Sequence, residues 1–180
     1  MPSAESAAGQ YPVEAVQMMD RIAMSVERDP TYSARIHFTQ TTLEPTTADA
    51  LAGSARHIAT TVSATTMVCY TSSGSTARRI ARERPTVPLL AMSASLITAR
   101  RMGLLWGTHA VHTRDVASFE EMVEKGKRMA LRHQLAQGGE RIVLMAGIPF
   151  GTAGSTNVLH VARLVGDELE RHTAAKSSAT

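Results

Sequence analysis

Two periods of apolar residues alternate along this chain. From position 12 the period is helical: Val13, Val16, Met19, Ile22 and Val26 recur every three or four residues, the single apolar stripe of an amphipathic helix. Pro12 suits its first position, Glu14 favours the positive end of its dipole, and Asp29-Pro30 stops it. Residues 1–10 (MPSAESAAGQ) are small and polar and are expected to lack order alone. Residues 30–45 show no clear period and read as a linker. Thr46 or Thr47 then caps a second helix, whose inner face is Ala48, Leu51, Ala52, Ala55, Ile58, Ala59 and Val62. So many alanines imply close packing on a sheet or another helix.

From residue 65 the pattern becomes strand, glycine or serine turn, helix, repeated. Apolar runs at 67–70, 87–92, 110–112 and 142–146 predict strands, separated by helical stretches at 76–84, 95–105 and 117–136. Gly138-Gly139 is the expected stop of the last helix. Alternating strands and helices imply a parallel sheet covered on both faces. A final stretch, 156–164, alternates like a strand but follows its predecessor with no helix between, so it is expected to be antiparallel and at an edge. The fold class is therefore α/β, three layers α/β/α, with a five-stranded mostly parallel sheet and an antiparallel last strand. Residues 166–180 read as a polar tail.

Composition narrows the picture. With 180 residues, 43% apolar and 19% charged, the chain suits one domain with a real core. A single cysteine, Cys69, excludes an internal disulfide and fits a reducing, cytoplasmic compartment. No apolar run approaches the roughly 18 residues of a membrane span. The formal charge of +3 gathers at Arg78, Arg79, Arg82 and Arg84. Nucleic-acid binding would want interleaved aromatics, and these make up only 4% of the chain. The arginines read as a solvated helix face, with attraction for a small phosphorylated ligand as the sharper alternative.

Candidate chemistry lies in two loops. In MVCYTSSGSTARRIARERP, a buried strand runs into Thr71, Ser72, Ser73, Gly74, Ser75 and Thr76, and a helix starts at once. Hydroxyls and free N–H groups at the positive end of a helix can cradle a phosphate without a metal. The same residues could equally be mere helix caps, and composition does not choose between the two. The second loop, Gly147-Ile148-Pro149-Phe150-Gly151-Thr152-Ala153-Gly154-Ser155-Thr156-Asn157, is glycine-rich, so backbone can approach a ligand. Alone it reads better as a hairpin between two strands, and no Gly-Lys-Ser/Thr makes it a P-loop. Cys69 reads as a buried small hydrophobe, His109 and His112 as sheet-surface or packing residues, and Trp106 as a packing anchor. The histidines show no metal-ligand spacing. An enzyme built on the first loop would need a general base or a metal cluster, and neither accompanies it.

These segments resemble the C-terminal domain of pyruvate kinases of bacterial type. GQYPVEAVQMMDRIA is similar to the helix that leaves the family's catalytic barrel. ALAGSARHIATTVSATTMVCYTSSGSTARRIARERPTVPLLAMS, RRMGLLWGTHAV and RIVLMAGIPFGTAGSTNVLHVARL resemble successive parts of the C-terminal domain, in order. The resemblance implies the five-stranded sheet just described, with 1–10 as the barrel's last remnant, 11–29 as an incoming helix, and Met1 as the start of a truncated or separately made domain. It implies a regulatory and assembly role: a phosphorylated effector held at Thr71, Ser72, Ser73, Gly74, Ser75 and Thr76, with Gly147, Pro149, Gly151, Gly154 and Ser155 closing over it, in a homo-oligomer partnered by a catalytic barrel. No cofactor is implied here; Mg2+ and K+ belong to that barrel, which transfers phosphoryl from phosphoenolpyruvate to ADP. Two departures bear on the effector. Ser73 and Ser75 stand where relatives often carry a charge, and the 117–136 helix lacks the tryptophan and arginine for a second phosphate, with Lys125 and Arg128 as rough substitutes. A sugar monophosphate or AMP therefore fits better than fructose bisphosphate. The alternative is a free-standing module that binds a phosphorylated metabolite with no kinase partner in cis.

Overall fold

The computed structural model describes residues 3–32, 44–150 and 155–165, in two compact units, Met1–Thr41 and Thr42–Thr180. The first unit holds α1 (Ser3–Ala7) and α2 (Pro12–Glu27). Helix α1 falls within residues 1–10, where Ala4 and Ala7 are strong helix formers and Glu5 sits in the first turn, at the positive end. Helix α2 begins with Pro12 as the sequence predicts, and its stripe of Val13, Val16, Met19, Ile22 and Val26 is exposed. Part of the expected 30–45 linker is helical instead, at 30–32. Asp29 caps that turn, accepting from the Thr31 N–H at 2.7 Å and the Thr31 hydroxyl at 2.6 Å, and Pro30 takes the first position that proline tolerates. The rest of that linker, 33–43, and the 166–180 tail lie outside the described residues.

The second unit runs α3 (Thr47–Thr61), β1 (Thr66–Tyr70), α4 (Ser75–Arg82), β2 (Leu89–Ser93), α5 (Leu96–Met102), β3 (Thr108–His112), α6 (Phe119–Arg132), β4 (Arg141–Gly147) and β5 (Thr156–Arg163). The strands form one five-stranded sheet in the order β3-β2-β1-β4-β5. β1 pairs in parallel with β2 and β4, β2 with β3, and only β4 and β5 are antiparallel. This is the mixed sheet that the alternation of elements predicts.

Strand alternation assigns the core to two sides. Met67, Cys69, Leu89, Ala91, Val143 and Met145 pack with Ala52, Ala55 and Ala59 of α3, Ala77 and Ile80 of α4, and Met102 of α5. Val68, Leu90, Met92, Ile142 and Leu144 pack with Met122, Val123 and Ala130 of α6. Helices cover both faces, which makes three layers. Cys69 is fully buried, and burial pushes its thiol up to about 12, so it is the packing residue the sequence suggests.

Helix ends depart from the sequence reading. α6 stops at Arg132 rather than near 136. Gln134 takes a left-handed φ of 56°, and the Leu135 N–H donates to the Ala130 carbonyl at 2.9 Å, a Schellman closure made without glycine. Gly138 and Gly139 belong to the following turn, where the Gly139 N–H donates to Leu164 at the end of the sheet.

Replacing Ala55→Leu should lower stability by about 1–3 kcal/mol, because extra methylenes have no space against the strands. A urea melt should show a lower midpoint with unchanged slope; an unchanged midpoint would contradict the close packing of α3.

Candidate functional site

Strand β1 lies at the centre of the sheet, and its carboxyl end is where ligands of open α/β sheets bind. Thr71 follows it directly. Its Oγ1 accepts the Gly74 N–H at 3.0 Å and closes a four-residue turn. Gly74 is the N-cap of α4 with a left-handed φ of 84°, a conformation that side chains disfavour. A Cβ there would also press on Thr98 Cγ2 at 3.4 Å and Met102 Cγ at 3.5 Å. Helix α5 props the loop from that side, the Thr98 hydroxyl donating to the Ser72 carbonyl at 3.0 Å.

The hydroxyls of this loop cap α4 only in part, through Thr71 on the Gly74 N–H. Gly74 has no side chain to offer, and no side-chain cap bond is made at its position. Ser73 Oγ lies 3.1 Å from Ser75 Oγ and accepts only a long bond, 3.4 Å, from the Ser75 N–H. The first turn of α4 therefore opens onto Ser72, Ser73 and Ser75 with its positive end undimmed by an acidic residue.

The second loop meets the first. Thr76 Oγ1 and Thr156 Oγ1 are 2.6 Å apart, and both residues are buried. At the end of β4, Gly147 runs so close to Ser155 that a Cβ would lie 2.8 Å from the Ser155 carbonyl carbon. Asn157 holds the next residue on both sides: its Oδ1 accepts the Ile148 N–H at 2.9 Å, and its Nδ2 donates to the Ile148 carbonyl at 2.6 Å.

Both loops line one cavity of about 320 Å3. Of the residues singled out from sequence, Thr71, Ser72, Ser73, Ser75, Thr76, Gly147 and Ser155 line it, and Gly74 shapes it from behind. Pro149, in a cis peptide with Ile148, is exposed and not among the lining residues. Gly151 and Gly154 lie outside the described residues. Phe150 and Thr156 of the second candidate loop also line it, together with Tyr70, Ala94, Ser95 and Asp115, which sequence reasoning missed as site residues. Phe150 stands edge-on to the Tyr70 ring, centroids 5.8 Å apart, and the Tyr70 hydroxyl donates to Asp115 Oδ1. Burial, then the bond to Asp115, pushes the Tyr70 phenol well above its ordinary range, so it stays a donor.

The basic cluster divides. Arg79 Nε and Arg82 Nη2 each lie 2.8 Å from a carboxylate oxygen of the fully buried Asp49, which also accepts the Glu44 N–H at 2.9 Å. These two arginines staple α4 to α3 rather than forming a solvated face. Arg84 covers the Trp106 ring at 4.8 Å, while Arg78 is exposed beside a second cavity of about 240 Å3. Lys125, named as a rough phosphate ligand, is buried; its ammonium donates to the Arg114 and Asp115 carbonyls at 2.9 and 3.0 Å. Neither it nor Arg128 is among the residues lining the cavity. His109 Nε2 lies 3.0 Å from His133 Nδ1, also outside that lining. Among the described residues no group of His, Cys, Asp or Glu is arranged to hold a metal, and no helix is long and apolar enough to cross a membrane.

Burial opposes the charge on Asp49, but the bonds from Arg82, the Glu44 N–H and Arg79 outweigh it and hold the carboxyl below its ordinary value of 3.8. A lowered folded-state value stabilises the fold above the ordinary value, and that contribution is lost as pH falls through the folded one. Asp49→Asn should therefore cost about 1–3 kcal/mol at neutral pH, moderated because both arginines reach solvent. The gap between variant and parent should begin to shrink below about pH 4 and close only as the pH falls through the lower folded-state value. Melts across pH check this; a gap independent of pH would contradict it.

The family model for the pyruvate kinase alpha/beta domain matches residues 49–162. The chain is 39% identical over 171 residues to a pyruvate kinase of Methylorubrum extorquens, covering 95% of this chain and 36% of that protein. It is 40% identical over 161 residues to one of Agrobacterium vitis, covering 89% and 34%. With one of Geobacillus stearothermophilus it shares 36% over 165 residues, covering 89% and 27%. The chain thus spans about a third of the length of the first two of these relatives.

Proposed function

Because the chain belongs to the pyruvate kinase family through its C-terminal alpha/beta domain, we propose that it is a regulatory and assembly domain that binds a small phosphorylated effector in the cavity between its two loops. The observation that carries this reading is that one cavity gathers the hydroxyl loop at the start of α4 and the loop after β4. The positive end of α4 and the hydroxyls of Ser72, Ser73 and Ser75 suit a dianionic phosphate, with no metal required. Lys125, the nearest thing to a second phosphate ligand on α6, is bonded to backbone carbonyls. That favours a sugar monophosphate or AMP over fructose bisphosphate.

In a whole enzyme the domain would also supply a subunit interface and answer to a catalytic barrel. That barrel would bind Mg2+ and K+ and pass a phosphoryl group from phosphoenolpyruvate to ADP. No step of that transfer falls to the residues described above.

Thermal shift with AMP, ribose 5-phosphate, glucose 6-phosphate and inorganic phosphate tests the reading. A ligand held only by the folded state at a hundred times its Kd stabilises by about 2.7 kcal/mol, and at least one of these is expected to raise the Tm. Ser73→Asp places a carboxylate beside the first turn of α4, where it favours the helix but repels phosphate, so the protein should stay folded and lose the shift. No shift with any of the four, or a full shift in the variant, would overturn the assignment.

A further inference from the structure

One charge in the cavity is left over by the phosphate reading. Asp115 is the single charged side chain among the described lining residues, and it comes from the segment after β3 rather than from either loop. Asp115 is exposed, and its neighbours fix its position. Oδ1 accepts both the Tyr70 hydroxyl and the Val116 N–H, the latter at 2.9 Å. Beneath it the buried Lys125 ammonium grips the carbonyls of Arg114 and Asp115 and also meets Glu121 Oε1 at 3.4 Å, fixing the backbone that carries the carboxylate. The bond from Tyr70, then that from Val116, hold the Asp115 carboxyl below its ordinary range, against burial and with help from the Lys125 charge. It is ionised at neutral pH, and Oδ2 has no partner among the described residues.

A carboxylate only accepts hydrogen bonds. A ligand group reaching Oδ2 must therefore bring hydroxyl or amine hydrogens, and such charge-assisted bonds are among the stronger ones available. A phosphate reaching it would meet like charge, with no lysine or arginine among the described lining to offset the repulsion. Resting on the reading of the cavity as a phosphate site, we propose that Asp115 sets its ligand class. It accepts the hydroxyls of a sugar whose single phosphate lies on the 71–76 loop, and it excludes a second phosphate.

Calorimetric titration of the chain and of Asp115→Asn with three probes tests this: glucose 6-phosphate, fructose 1,6-bisphosphate and inorganic phosphate. In the parent, the monophosphate should bind at least about tenfold tighter than the bisphosphate, the scale of one charge-assisted hydrogen bond gained or one repulsion avoided. Asparagine keeps the shape and an acceptor for Val116 while removing the charge. It should weaken glucose 6-phosphate, strengthen fructose 1,6-bisphosphate and bring the ratio towards one. If Asn lowers the Tm without ligand, Asp115→Ser is titrated in addition and the same ratio is read. A ratio unchanged in a variant that keeps the parent Tm, with inorganic phosphate still bound, overturns the role of Asp115 alone. Failure of all three probes to bind the parent overturns this inference, while the phosphate site itself falls only if AMP and ribose 5-phosphate fail as well.

Discussion

The hydrogen bond from the Gly74 N–H to Thr71 Oγ1 turns the chain from the central strand into α4 within four residues. The turn needs the left-handed φ of 84° at Gly74, and it needs that residue to have no side chain against Thr98 and Met102. Everything at the site follows from so tight a turn. The end of β1 and the start of α4 are brought to one point, and the hydroxyls of the loop are left facing the cavity. The N-cap is a residue that cannot neutralise the helix itself. The glycine that makes the turn possible is thus the same residue that leaves the positive end of α4 open to an anion.

The second constraint is one of proximity. Parallel pairing of β1 with β4 sets their carboxyl ends side by side, and Gly147 lets the chain pass close to Ser155. The Thr76–Thr156 contact and the Asn157 clamp on Ile148 tie the two loops at their roots. On the outer side, Asp49 holds α4 to α3 through Arg79 and Arg82. Arg79 and Arg82, just past the 71–76 loop in sequence, thus serve the scaffold, and the described lining of the cavity offers hydroxyls and backbone instead of side-chain cations.

Local features were legible in the sequence because they depend on neighbours in the chain. The strand–loop–helix at 66–82 announces itself by an apolar run, a Ser/Thr/Gly turn and a helical period, and the antiparallel last strand by the lack of a crossover helix. Features that depend on distant residues were not legible. Tyr70 read as the last residue of a strand and Asp115 as part of a loop, and only the sheet order, with β2 between β1 and β3, brings their side chains together. Lys125 carries the charge expected of a phosphate ligand, but its burial against the Arg114 and Asp115 carbonyls is a tertiary fact. The end of α6 misled for a related reason: Gln134 adopts the left-handed conformation, while the glycine pair that advertises a helix stop serves a turn farther on.

The central claim is that an anion is received at the start of α4 between the two loops, and amide chemical shifts under titration with inorganic phosphate test it most directly. The account predicts the largest changes at Gly74, Ser75 and Thr76, with smaller ones at Gly147 and Asn157. Changes confined to Arg78 and its neighbours on α4 beyond residue 76, with the 71–76 amides still, would place the anion on the exposed arginine and contradict the account.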